Sequence, residues 1–235
     1  VARRAGSGEL GRLSIGVVEP MTYSVLPAIV REFHARYPEV QLDLSEMHSG
    51  QQAPALRDDR LQLGFLHPPE ACTDLAIETI MTEAVMVALP RNHPRAADAK
   101  VHLCDLADEP LVIFRRDVEP ALFDTYQQLC ADAGLTPAVV HAANPMHLIV
   151  GLVAAGLGYT LLPASVRNLQ RPDIVYRALH PPAPRVALAA VWRAGDTSPA
   201  LHAFLEVTRH VTRLHRPERD DRRHTPHLAG ASHGT

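Results

Sequence analysis

The chain is short of the residues that announce most chemistries. Three cysteines in 235 residues, Cys72, Cys104 and Cys130, are odd in number, far apart and without a C-x-x-C pair, which excludes a disulfide framework and fits a reducing cytoplasm. Cationic excess is also missing: the net charge of −3 leaves no basic footprint of the kind that grips a phosphate backbone, so this chain alone is a poor nucleic-acid binder. No apolar run is long enough to span a bilayer, and no charged-then-apolar leader opens the sequence, which argues against secretion and a membrane role. G-x-S-x-G, Walker, H-E-x-x-H and EF-hand patterns are all absent, which argues against an enzyme and leaves no cofactor or metal motif. Fourteen histidines form no ligand set at helical spacing, and His224, His227 and His233 fall in a polar C-terminal stretch.

What is present is apolar periodicity. A hydrophobic fraction of 46% supports real cores, and the length suits one large or two small domains. The first residue is Val1, so the sequence reads as a fragment or a processed chain. Residues 1–11 are charged and glycine-bearing and read as the end of a linker. LSIGVV is a strand-length run, and a helix is expected from Ser24, with Pro27 in its first turn and Leu26, Ile29, Val30, Phe33 and Tyr37 on one face. VQLDLSEM, LQLGFL, LAIETIM and EAVMVALP read as further strands, with a short helix between the first two. This alternation predicts a mostly parallel α/β sheet covered on both sides.

A second series follows. PLVIF is a strand, and PALFDTYQQLCADAG a helix with Leu122, Tyr126, Leu129 and Cys130 on one face and Gly134 past its end. AVVHAA, DIVYRALH and VALAAVW are strands, and SPALHAFLEVTRHVTRL is a last amphipathic helix. The densest signal is NPMHLIVGLVAAGLGYTLLPAS, Asn144 to Ser165: Asn144 as N-cap, Pro145 at the first helical position, and Leu148, Ile149, Leu152 and Val153 as the apolar face. Gly156 is a left-handed stop, with Leu157 folding back on Leu152 before the strand YTLL. Its Gly-Leu-Gly is not a nucleotide loop, because here the helix precedes the strand. Beyond Arg216 the tail is too polar to offset ordering and is expected to be disordered.

In open α/β sheets, ligands bind beyond the carboxyl ends of strands. The segments there carry Thr22, His48, Ser49, His67, Arg115, Arg116 and Asn144, donors enough for a small anion, beside the N-terminal ends of several helices. The same residues also serve as ordinary caps and turns.

Four phrases, GRLSIGVV…LPAIVREFHARYPEVQLDLSEM, LQLGFLHPP, VMVALPRNHP and VGLVAAGLGYTLLPAS, resemble the effector-binding domain of LysR-type transcriptional regulators. SEMHSGQQ and GLVAAG are similar to the branch responding to muconate, benzoate and related acids. The resemblance spans roughly Gly11 to Leu214. It implies two Rossmann-like subdomains of the type 2 periplasmic-binding-protein kind with a cleft between them and two chain crossings; by the order of strands and helices these fall near Glu83 and Pro182, giving residues 12–83 with 185–214, and residues 84–184. It places the effector pocket at Pro20 and Met21, Ser49, His67, and Pro120, Ala121 and Leu122. In the aromatic-acid branch the first of these is typically serine and the fourth arginine; here Pro20 and His67 stand instead, and Arg115 is the expected source of positive charge for a carboxylate or aromatic-acid effector. The family's helix-turn-helix lies upstream, so promoter DNA is expected as a partner only through that missing part. A homodimer or homotetramer is expected, with the helix from Ser24 to Tyr37 facing the partner's helix from Pro120 to Ala133. A solute-binding protein serving a transporter shares the architecture and remains the alternative.

Overall fold

The computed structural model describes residues 11–68, 73–136, 139–181 and 184–215, with the backbone alone for 139–141. Residues 1–10 of the expected linker, the C-terminal tail with its three histidines, Cys72 and the crossing near Pro182 lie outside the described residues, whereas Gly11, assigned to the linker, opens the first strand. In chain order, β1 (Gly11–Val17), α1 (Glu19–Thr22), α2 (Leu26–Arg36), β2 (Val40–Glu46), α3 (Ser49–Arg57) and β3 (Leu63–Leu66) form the opening series. β4 (Leu75–Pro90), β5 (Lys100–Val101), β6 (Leu111–Ile113), α4 (Pro120–Asp132), β7 (Val139–Ala142), α5 (Met146–Ala154), β8 (Thr160–Pro163) and β9 (Ile174–Leu179) follow. β10 (Arg185–Arg193) and α6 (Pro199–Leu214) return the chain to the first half.

The main sheet runs β2-β1-β3-β10-β4-β9-β5, with β8 added on β4 and a separate β6-β7 pair. It is mixed rather than mostly parallel: β1 pairs in parallel with β2 and β3, whereas β10 is antiparallel to both β3 and β4, and β4 is antiparallel to β8 and β9. LAIETIM and EAVMVALP, read as two strands, are one sixteen-residue strand. Thr82 and Glu83 interrupt the apolar pattern there without any glycine or proline to turn the chain, so the strand continues for about 50 Å. Its first part pairs with β10 and its second with β8 and β9.

Two hydrophobic clusters flank that strand. One gathers β1, β3, β10, α2 and α6 around Phe33, Phe65 and Phe204, with Phe33 and Phe204 centroids 4.8 Å apart. The other gathers β6, β8, α4 and α5 around Tyr126, Tyr159, Ile149 and Val153.

The α5 segment keeps its predicted ending and changes its beginning. Gly156 has φ 83°, Leu157 N–H donates to Leu152 O at 3.2 Å and Gly156 N–H to Val153 O at 2.9 Å, the paired bonds of a glycine-terminated helix. Asn144 is not the N-cap. Pro145 holds that position, no side chain of the segment caps the helix, and the buried face is Met146, Ile149, Val150 and Val153, leaving Leu148 45% exposed. The expected helix at Ser24 starts two residues later at Leu26, and the turn before it winds into α1.

Candidate functional site

The loops that follow β1 and β2 in the first half face those that precede α4 and α5 in the second. Each half supplies a glutamate that closes on a helix start in the other. Glu19, the first residue of α1 and 7% exposed, accepts from Met146 N–H at 2.6 Å and His147 N–H at 3.2 Å, the first two amides of α5, 127 residues away in sequence. Its Oε1 also accepts from Tyr23 Oη–H at 2.6 Å and lies 3.2 Å from His147 Nδ1. That contact explains why α5 needs no cap of its own: its orphan amides and positive dipole end meet a carboxylate brought from the other half.

The reverse clasp comes from Glu119, also 7% exposed, which precedes α4. Its carboxylate accepts from Ser49 N–H at 3.0 Å and Ser49 Oγ–H at 2.5 Å, at the start of α3. Next along, Gly50 N–H donates to Val118 O at 3.1 Å, and a Cβ on Gly50 would stand 2.5 Å from Asp117 O. Glycine is what lets the two loops touch. Burial pushes the Glu119 carboxyl up to about 7, with the Ser49 bonds pulling it down. Glu83 of β4 forms a third such contact, accepting from Ser165 N–H at 2.7 Å, and burial raises its pKa as well.

Between the two clasps lies a pocket lined by Glu19, Pro20, His48, His67, Phe114, Glu119, Leu122, Asn144, Met146 and Ile149. The walls leave about 20 Å³, room for one water. His67 is buried, its Nδ1 2.9 Å from Ala187 O; because a carbonyl can only accept, the proton sits on Nδ1 and Nε2 is left as an acceptor without a partner. Burial lowers the His67 pKa, so the ring is neutral.

Of the residues singled out in the sequence, Pro20, His48, His67, Leu122 and Asn144 come together here. Ser49 is adjacent but spent: its hydroxyl donates to Glu119 and accepts from His67 N–H at 3.1 Å. Met21 is fully buried in the first core, and Thr22 donates to Glu19 O, so neither faces the pocket. Pro120 and Ala121 start α4 without lining it. Arg115 does not supply the expected charge. It is 65% exposed and pairs with Asp117, while Arg116, equally exposed, holds Asp124 at 2.7 Å. A carboxylate two residues on, in the same loop, holds Arg115, and one eight residues on, in α4, holds Arg116, which draws both guanidinium groups outward.

The residues that sequence reasoning missed are Glu19, Phe114, Glu119, Met146 and Ile149. A signal existed for the two acids. Both stand in a Glu-Pro step opening a helix after a strand, at Glu19-Pro20 and Glu119-Pro120. Such acids ordinarily complement their own helix; here each serves the other half's. Among the described residues, no group of His, Cys, Asp and Glu could hold a metal ion, and no helix is long and apolar enough to cross a membrane.

Comparison with known proteins gives this arrangement a family. The chain is 34% identical over 212 residues to the HTH-type transcriptional regulator AlsR of Bacillus subtilis, covering 88% of this chain and 69% of the relative. It is 35% identical over 209 residues to the HTH-type transcriptional regulator IlvR of Caulobacter vibrioides, covering 88% and 70%. Among solved structures, the BenM effector binding domain with its effector benzoate superposes with a TM-score of 0.77 at 26% identity, covering 88% of this chain and 96% of that one. The fold is thus that of LysR effector-binding domains, the type 2 periplasmic-binding-protein-like architecture of two α/β halves with a cleft. Residues 6–213 of the 235 match the LysR substrate binding domain model, and the protein belongs to that family as the effector-binding domain of a LysR-type regulator.

Proposed function

We propose that the pocket between Glu19 and Glu119 is the effector site, and that occupation of it resets how the two halves sit on one another. The observation that carries this reading is the reciprocal clasp, in which each half caps a helix of the other across a space lined by both. A ligand that binds better when the clasps are parted shifts the population toward that arrangement by its difference in affinity. The two cores, one built from residues before Glu83 and from Leu188 onward and the other from residues between Val85 and Val186, are the bodies that would move. In the full-length regulator this movement would be relayed through a homodimer or homotetramer, with α2 against the partner's α4, to a DNA-reading part acting in the cytoplasm. The role is sensing, not catalysis.

A kinship with the benzoate-responsive branch is one of several, since AlsR and IlvR are at least as similar in sequence as BenM, which is 27% identical. A carboxylate effector, the class expected from the sequence, would have to displace Glu19 or Glu119 from a helix start. The site itself is tested with a plug. A small molecule that raises the melting temperature of the chain should lose that effect in Asn144→Trp, which fills the pocket from its rim. Stabilisation that survives the plug would move the effector elsewhere.

A further inference from the structure

We infer that the cleft is built for an effector that presents hydrogen-bond donors, with a small protonated amine as its best fit, and not for a carboxylate. This rests on the cleft being the effector site, and it goes further by assigning the chemistry of what enters.

The acidic side chains and the buried imidazole of the walls offer acceptors. Glu19 and Glu119 bring two carboxylates, and His67 Nε2 is buried and unpartnered beside them. A carboxylate has about four lone-pair sites. Glu119 receives one bond on each oxygen, from Ser49 N–H and Ser49 Oγ–H, so capacity remains on both. The side-chain donors on the walls are those of Asn144 and of His48, whose Nδ1 already stands 3.9 Å from Glu119. Neither lysine nor arginine lines the pocket, and the two guanidinium groups in the loop before α4 are exposed and paired with Asp117 and Asp124.

Features that would otherwise welcome an anion are already used. The starts of α3 and α5 are backbone anion sites of this cleft, and Glu119 and Glu19 fill them, while at the start of α4 Pro120 has no N–H to offer. An incoming carboxylate would therefore meet Glu19 and, once it ionises near neutrality, Glu119, in a partly desolvated space that neither lysine nor arginine lines, a like-charge arrangement that costs more as water leaves. An ammonium meets the opposite: two charge-assisted acceptors and a neutral imidazole lone pair. A bound metal ion would suit the same charge, yet the ligands are not gathered for one among the described residues. The remaining walls, Pro20, Phe114, Leu122, Met146 and Ile149, are apolar and suit a short hydrocarbon or aromatic body on the amine. Because the closed walls leave about 20 Å³, that body enters only as the clasps part.

The test is calorimetry of the chain against matched triplets sharing one carbon skeleton: benzylamine, benzyl alcohol and benzoate; isobutylamine, isobutanol and isobutyrate. The amine should bind at least about tenfold tighter than its carboxylate partner, with the alcohol between. Glu119→Gln, which keeps the shape and one acceptor, should weaken the amine several-fold more than the alcohol. Tighter binding of the carboxylates, or no binding by either amine, overturns the inference, and this comparison needs only the unaltered chain. The plug separates the two readings. A carboxylate that binds tightest and is lost in Asn144→Trp leaves the cleft as the effector site and sinks the amine; an amine whose binding is indifferent to Asn144→Trp sinks both.

Discussion

The two clasps do the same job from opposite sides with unequal means. Glu19 reaches α5 with a set of donors around it: two backbone amides, the Tyr23 hydroxyl and the His147 ring. Glu119 reaches α3 with the amide and hydroxyl of a single residue, Ser49, and His48 Nδ1 stands 3.9 Å off. Both residues are buried. Burying a carboxylate is tolerable in proportion to the donors that replace its water, so the Glu119 clasp is the poorly compensated one. Its carboxyl, raised to about 7, changes charge near neutrality.

The comparison breaks most visibly at Glu19. Glu19→Ala would strand two amides at the start of α5 and the Tyr23 hydroxyl, and should cost about 3–5 kcal/mol by chemical denaturation. Glu19→Gln, keeping one acceptor oxygen, should recover part of that loss; an Ala variant as stable as the parent would remove Glu19 from the interface.

The second test sharpens the role of charge. A carboxyl whose folded pKa stands at about 7 against 4.5 when unfolded contributes stability that is complete below 4.5 and is lost as pH rises through about 7, amounting to about 3 kcal/mol. Stability differences between the parent and Glu119→Gln should therefore grow in the glutamine variant's favour from pH 4.5 to 7.5. Parallel pH profiles would contradict the shift. Glu83, raised in the same direction, is common to both proteins and cancels in the difference.

A smaller effect is expected where the loops touch. Gly50→Ala drives a methyl against Asp117 O, so the Glu119 clasp must open, at about 1–3 kcal/mol and with greater amide exchange at Ser49 and Gly50. The Glu19 clasp should keep its protection. Arg115→Ala should do least, leaving both the unfolding midpoint and effector affinity unchanged, since that side chain is spent on Asp117 in solvent. A loss of affinity would bring Arg115 back into the site.

Legibility followed the range of the interaction. Elements held by local rules were readable: the i, i+3, i+4 face of α2 with Leu26, Ile29 and Phe33 inward, the glycine stop at Gly156, and Gly134 with φ 72° past α4. Boundaries failed where a local cue had a distant competitor. Asn144 has the side chain of an N-cap, but a better acceptor, Glu19, arrives from the first half and α5 begins two residues on. Thr82-Glu83 looks like a break, but Ser165 N–H and the pairing with β10 make it a strand interior. Arg115 has the right charge in the right loop, and Asp117 two residues away takes it.

By itself, then, the sequence determined the alternation of strands and helices, the glycines that end them and the loops that would meet at a cleft, because these depend on periodicity and backbone freedom within a few residues. Only the tertiary structure decided that the helix starts at that cleft are served by carboxylates 127 and 70 residues away. Unlike a periodic face, a carboxylate's partner is set by which orphan amides the folded chain brings within about 3 Å of it, and no spacing along the chain encodes that distance.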